Sequence, residues 1–379
     1  MSGWIDKAAT GNGPRFVISG GGTGGHIFPA LAVAEALLAA RPDADIRFVG
    51  ASGRMEMERV PAAGFPIEGL GISGLQRRLT LDNLSFPLKV IRSVLRANKL
   101  LRAFKPHAAV GTGGYASGPL LYAATKQGIP TLIQEQNAYA GLTNKLLARW
   151  VNRICVAYPA MEQFFPAEKL VQTGNPIRED FERAAPATAA ERGELRRAFG
   201  LEPDRPTLLV TGGSLGARTL NEALLNATAT LAAAEVQVIW QCGGGYADRC
   251  EKSETAALPN VVCRPFLDPM IDAYRAADLI VCRAGALTIA ELLALGKPAL
   301  LVPSPNVAED HQTKNALALT GRDAARMLPD GEAAEQLLPT ALALLARPEE
   351  LNELSAAARS LAQRGAAQRI AEEVLGMIE

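Results

Sequence analysis

The residues best suited to chemistry lie in glycine-rich segments that each follow a short apolar run. Residues 20–25 read GGGTGG and are followed by His26; residues 111–119 read GTGGYASGP; residues 212–216 read GGSLG. Amides at the start of a helix attract anions, and glycine lets a phosphate or a sugar approach the backbone. One such loop can be no more than a tight turn, but three of them, each after a strand, point to a phosphorylated ligand. His26 is one of three histidines in the chain and stands at the exit of the first loop. There an imidazole can act as a base near neutral pH, or it can merely orient the loop. A fourth segment, residues 283–291 (RAGALTIAE), follows another apolar run. Its Ala286, Leu287 and Thr288 are expected to open a helix toward a diphosphate. Glu291 lies three residues after Thr288, so it either closes a capping box or accepts two hydroxyls of a ribose. Residues 309–312 (EDHQ) offer polar groups for sugar hydroxyls, or a solvated helix start.

Several other chemistries fit less well. Gly20, Gly22 and Gly25 match G-x-G-x-x-G, but a dinucleotide site also needs an acid near the end of the second strand, and residues 48–52 (FVGAS) supply none. No GxxxxGK[ST] occurs, which disfavours a P-loop ATPase. Asp43 and Asp45 form a D-x-D that precedes a strand instead of following one, so neither a metal nor another cofactor is expected.

The elements needed to hold these loops are legible. Short apolar runs alternate with helical patterns, the signature of βα units and parallel sheets. Strands are expected at residues 15–19, 46–49, 108–110, 131–133 and 153–156. Residues 29–40 read as a helix with Pro29 in its first turn. Residues 176–192, rich in proline, alanine and charge, read as a linker. A second series of strands is expected at residues 207–210, 236–241, 261–264, 279–282 and 299–302, with a helix from Ala217. The tail, residues 332–379, is helical by periodicity. Two doubly wound α/β domains with a cleft between them are the economical architecture, with ligands beyond the carboxyl ends of the strands.

Composition narrows the partners. Thirty-nine basic residues balance thirty-nine acidic ones over 379 residues, so no general attraction to nucleic acid is expected. The N-terminus lacks the apolar core of a secretory signal, and the most apolar stretch, residues 279–302, is interrupted by Arg283, Glu291 and Lys297, so no spanning helix is expected. The five cysteines have no CxxC spacing and read as buried free thiols. One local excess of charge stands out. Residues 77–105 hold eight basic residues and one acid, with Arg92, Arg96 and Lys99 at helical steps among leucines, isoleucine and valines. A basic amphipathic helix of this kind suits an anionic membrane face or an acceptor pyrophosphate, or packs on its own domain.

Taken together, the motifs resemble the MurG family, UDP-N-acetylglucosamine: lipid-pyrophosphoryl-N-acetylmuramoyl-pentapeptide transferases. The likeness runs from Gly20 to about Asn315, through GGTGGHIFP (21–29), GGYASGP (113–119), EQN with AGLTN (135–144), GNPIR (174–178), GGSLGA (212–217) and GALTIAE (285–291). It implies a GT-B fold, an inverting, metal-free transfer, UDP-N-acetylglucosamine as donor, and as acceptor the C4 hydroxyl of the lipid-linked muramoyl sugar of lipid I, with lipid II as product. It also implies donor contacts at Thr23, Gly24, Gly25, Asn137, Arg178, Ser214, Leu267, Ala286, Leu287, Thr288, Glu291 and Gln312. Within that set the Leu267 backbone would read uracil, Glu291 the ribose and Gln312 the sugar, while Ser214 and the 286–288 amides would hold diphosphate. His26 would be the base, and Gly113, Gly114, Tyr115 and Glu135 would belong to the acceptor side. The family pattern has a second glutamine where His311 stands. The resemblance places an acceptor and membrane-associated domain at residues 1–175, with residues 365–379 packing back on it, a UDP-sugar domain at residues 176–364, and the protein at the cytoplasmic face of the inner membrane. Rival readings are a GT-B enzyme acting on another lipid, such as a diacylglycerol, and a non-catalytic nucleotide-sugar binder or an oxidoreductase. The 135–144 segment and the GGYASGP loop speak against the first.

Overall fold

A computed structural model describes residues 13–72, 86–213 and 215–379. The chain divides into two compact units, one holding the residues up to Arg178 and again Gly365–Glu379, the other Glu179–Arg364. Each is built on one parallel sheet.

The first sheet contains β1 (Arg15–Gly20), β2 (Asp45–Ala51), β3 (Ile67–Leu70), β4 (Ala108–Gly113), β5 (Thr131–Glu135), β6 (Arg153–Val156) and β7 (Leu170–Gln172), in the order β3-β2-β1-β4-β5-β6-β7. The second contains β8 (Thr207–Thr211), β9 (Gln237–Gln241), β10 (Val261–Arg264), β11 (Leu279–Cys282), β12 (Ala299–Leu301) and β13 (Arg326–Met327), in the order β10-β9-β8-β11-β12-β13. The central strands are apolar on both faces because helices cover both: Phe16, Val17 and Ile18, like Leu208, Leu209 and Val210, are fully buried. In each sheet the order reverses beside the first strand, between β1 and β4 and between β8 and β11. Loops diverge at such a switch point and open a crevice at the carboxyl ends of the strands. All four segments singled out by their glycines leave those four strands.

The expected doubly wound architecture is therefore present in both units. The ten expected strands all form; β3, β7 and β13 were not expected. They are edge strands of two to four residues, too short to show a period. Two further expectations need correction. The first helix runs Gly24–Ala40, so Pro29 sits in its second turn, not its first. Thr23, extended at φ −146°, is the N-cap, and its carbonyl accepts from the amides of His26 and Ile27 at 3.1 and 3.2 Å. Residues 176–192 are not a bare linker: they contain the helix Glu179–Arg183 and the start of Ala189–Ala198, whose N-cap Thr188 forms a capping box with Glu191. All five cysteines are buried free thiols, and the tail forms three helices, Asp330–Leu345, Pro348–Ser360 and Ala366–Gly376. The last packs on Gly24–Ala40.

Candidate active site

In the first unit, the loops after β1 and β4 meet. Gly113 and Gly114 have φ of 104° and 87°, and a Cβ on them would lie 2.5 Å from His26 Nδ1 and 2.3 Å from the Gly21 carbonyl oxygen. Only glycine allows both the backbone and the contact. The half-buried His26 ring therefore lies against Gly113, with Nδ1 at 2.9 Å from the Thr112 carbonyl oxygen and 3.2 Å from Gln136 Oε1. The Thr112 hydroxyl donates to the His26 carbonyl at 2.7 Å, so strand end and helix start are stitched twice. Thr23 and Gly25 are exposed and Gly24 half-buried at the head of the helix, where backbone N–H groups precede the first available carbonyl. Tyr115 is exposed just after the glycine pair.

Two carboxylates hold these loops. Glu135, at the end of β5, is buried, and its oxygens accept from the Asn137 amide (3.1 Å), Asn137 Nδ2 (3.2 Å), the Gly141 amide (3.0 Å) and Asn144 Nδ2 (2.8 Å). A carboxylate out of water needs such donors, and here they wrap residues 136–144 around it. Glu135 thus turns into its own loop and sets the position of Asn137. Glu56, only 1% exposed, accepts from the Gly22 amide at 2.8 Å and the Ala51 amide at 2.9 Å, and so clamps the first glycine loop to the end of β2. Sequence reasoning missed it. Residues 48–52 at the end of the second strand hold no acid, and Glu56 stands four residues further on, turned to the loop backbone. The D-x-D carboxylates are occupied by guanidinium groups: Asp45 pairs with the buried Arg47 at 2.9 Å and Asp43 with Arg41 at 3.0 Å.

In the second unit the helix Ala286–Leu295 follows β11 with Gly285 as its extended N-cap. Ala286, Leu287 and Thr288 are its first turn, where a helix presents N–H groups to an anion. The capping-box reading of Glu291 fails, because Thr288 is inside the helix and Glu291 is its sixth residue. Burial, with a smaller push from the Glu291 carboxylate, raises the Cys282 thiol to about 12. Leu267 is buried, and its amide donates to Gln241 Oε1 at 3.1 Å. Gln312 is half-buried on the helix His311–Thr320, and its Oε1 accepts from the Ser304 amide at 2.8 Å, which ties the loop after β12 to that helix. His311 is the first residue of the helix, and Glu309 and Asp310 before it adopt φ of 55° and 50°. Arg178 is half-buried at the end of the first unit. Ser214 and residues 73–85 lie outside the described residues. Next to Ser214, the Gly216 amide bonds to the Gly213 carbonyl, and a Cβ on Gly216 would lie 2.0 Å from the Cys242 carbonyl oxygen.

The basic helix expected near residue 90 runs Phe86–Phe104. Ser93, Ala97, Leu100, Leu101 and Phe104 face the core, while Leu88, Ile91 and Leu95 are 58%, 56% and 64% exposed, in one stripe with Arg92 and Lys99. Arg96 stands apart: its guanidinium bonds the buried Glu68 carboxylate at 3.0 Å. Among the described residues no helix is long and apolar enough to cross a membrane.

Comparison with known proteins agrees with this geometry. Residues 16–156 match the glycosyltransferase family 28 N-terminal domain, and residues 207–373 the glycosyltransferase family 28 C-terminal domain. With two parallel Rossmann-like sheets and glycine loops at both switch points, the chain is a glycosyltransferase of the GT-B class. It is 52% identical, over 96% of its length and 98% of the relative's, to the UDP-N-acetylglucosamine--N-acetylmuramyl-(pentapeptide) pyrophosphoryl-undecaprenol N-acetylglucosamine transferase of Parabacteroides distasonis. It is 53% identical, over 96% of both chains, to the protein of the same name from Porphyromonas gingivalis. The crystal structure of Acinetobacter baumannii MurG superposes with a TM-score of 0.73 at 32% identity, covering 96% of this chain and 99% of that one. The chain belongs to the MurG family, as its motifs implied.

Proposed function

We propose that the protein transfers N-acetylglucosamine from UDP-N-acetylglucosamine to the C4 hydroxyl of the muramoyl sugar of undecaprenyl-pyrophosphoryl-muramoyl-pentapeptide (lipid I), giving lipid II for peptidoglycan synthesis. The observation that carries this reading is identity of 50–53% over nearly the whole chain to proteins named for that transfer. In this reading the second unit holds the donor. The first turn at Ala286–Thr288 and the loop at Ser214 receive the diphosphate, Glu291 accepts the ribose hydroxyls, Leu267 meets uracil, and Gln312 meets the sugar. Thr23, Gly24, Gly25, Asn137 and Arg178 complete the donor contacts. The first unit carries the acceptor, with Gly113, Gly114 and Tyr115 on its loop.

The transfer proceeds with inversion. His26 takes the proton of the C4 hydroxyl as its oxygen bonds to the anomeric carbon, and the bond from that carbon to the diphosphate breaks, with the electron pair leaving on UDP. Backbone amides already in position stabilise that growing charge without having to reorganise. Transfer of radiolabelled sugar from UDP-N-acetylglucosamine to a short-chain lipid I analogue tests the whole reading. Label should appear in a disaccharide product. Transfer to diacylglycerol instead, or UDP-sugar binding without turnover, would overturn it.

The exposed Leu88, Ile91 and Leu95 stripe with Arg92 and Lys99 supports a peripheral seat on an anionic membrane, at the cytoplasmic face of the inner membrane. Each basic residue near such a surface contributes about 1 kcal/mol, so R92E with K99E should weaken sedimentation with phosphatidylglycerol vesicles by at least about thirtyfold. Activity on a soluble short-chain acceptor should persist. Arg96 is left out of this variant, because its reversal would set a second carboxylate against Glu68. Unaltered vesicle binding would move the membrane face elsewhere.

A further inference from the structure

Two oxygens face one ring nitrogen of His26, the Thr112 carbonyl and the side-chain oxygen of the buried Gln136. Gln136 is 2% exposed, at the end of β5. One terminus of its carboxamide lies 2.6 Å from the Thr112 carbonyl oxygen and 3.3 Å from the Gln134 carbonyl oxygen, and also touches Gln134 Oε1. Three oxygens around one terminus require the NH2 there, since an oxygen would face only acceptors. The other terminus is therefore Oε1, and it lies 3.2 Å from His26 Nδ1. That nitrogen also lies 2.9 Å from the Thr112 carbonyl oxygen. A lone pair on Nδ1 would meet two oxygens with no hydrogen between them. Nδ1 must carry the hydrogen, and the neutral ring then keeps its lone pair on Nε2. Gln136 is itself held in place: Gln134 Nε2 donates to Asn175 Oδ1 at 3.0 Å, and Asn175 Nδ2 donates back to the Gln136 carbonyl at 2.9 Å.

We infer that Gln136 is a positioning residue that, together with the Thr112 carbonyl, holds His26 in the Nδ1–H form, so that Nε2 is the nitrogen able to accept a proton, and that it favours the imidazolium formed when it does. The inference rests on His26 acting as the base. A hydrogen on Nδ1 is shared between the Thr112 carbonyl and Gln136 Oε1, and both bonds strengthen once the ring is charged. The charged residues on the elements packed against the His26 helix are Arg15 on β1, Glu56, Glu58 and Arg59 on Glu56–Ala62, and Arg369, Glu372 and Glu373 on Ala366–Gly376; β4 has none. Glu56 is engaged by amides, Glu373 by Arg153, and Arg369 by the Thr173 carbonyl. All of them are the same in a variant at 136, so a change in His26 titration there is attributable to that side chain.

The test is nitrogen NMR on the full-length protein labelled at its three histidines, with His26→Asn to assign the signal. The wild-type neutral ring should show hydrogen on Nδ1 and none on Nε2. Gln136→Met removes the acceptor and should make proton binding by His26 about tenfold weaker, the effect of one lost hydrogen bond to a charged group. Gln136→Leu, which also offers no acceptor to Nδ1, should weaken it by a similar factor. In turnover, Gln136→Met should lower kcat and shift the acidic limb of the pH profile to lower pH, while the donor KM changes little. Hydrogen on Nε2 in the wild type, or wild-type titration in both variants, would overturn the inference. These spectra need no turnover, so they stand apart from the base assignment, which fails separately if His26→Asn remains active.

Discussion

Replacing His26 by alanine is expected to lower kcat by about 10²–10⁴, the usual contribution of a positioned general base, and to abolish the acidic limb of the pH–rate profile. An alcohol is a weak nucleophile until its proton is taken, and histidine titrates near the working pH. Affinity for UDP-N-acetylglucosamine, measured by calorimetry, should change little, because the diphosphate and ribose contacts assigned above lie on other residues. His26→Asn separates chemistry from geometry. Its side-chain amide can donate to the Thr112 carbonyl, which Nδ1 approaches to 2.9 Å, so the loop stays tied to β4. It has no nitrogen that can take a proton at neutral pH. A base is lost in both variants, whereas a merely orienting ring is replaced in the second. An asparagine variant with near-normal kcat and an unaltered pH profile would return His26 to an orienting role.

Glu291→Ala should raise the donor KM by about ten- to a hundredfold, the worth of roughly 1.5–3 kcal/mol for hydrogen bonds to a charged acceptor, and leave the acceptor KM nearly unchanged. The structure sharpens this expectation. Glu291 is the sixth residue of Ala286–Leu295 and Gly285 is the N-cap, so the helix start does not depend on this carboxylate. Circular dichroism checks that the variant is folded. UDP alone, measured by calorimetry, should bind the variant more weakly by the same factor, since UDP retains the ribose. An unchanged donor KM with unchanged UDP affinity would remove Glu291 from the nucleotide site.

Much of the fold was legible because parallel strands covered on both faces must be apolar throughout. β1, β8 and β11 appear as short runs of such residues, each closed by glycines, and the loops that follow them mark the ends at which ligands bind. The amphipathic helix Phe86–Phe104 was legible from its three- and four-residue steps. These are local properties, carried by side-chain type and backbone preference over a few neighbours. The short edge strands β3, β7 and β13 escaped because two to four residues show no period, and their pairing comes from the strand already beside them. Pro29 was misplaced because the helix is capped at Thr23, whose carbonyl takes up the amides of His26 and Ile27, and so begins five residues sooner than the proline suggested. The arrangement of buried polar groups was not legible at all. Gly22 meets Glu56 across 34 residues, His26 meets Gln136 across 110, and Arg96 leaves the exposed stripe to meet Glu68 across 28. A carboxylate or an amide taken out of water must find its donors and acceptors among whatever the packed sheet brings near. The sequence determined which elements form and where their ligand-facing ends lie; only the tertiary structure decided which polar groups face one another there, because that depends on strand order and distance and not on neighbours along the chain.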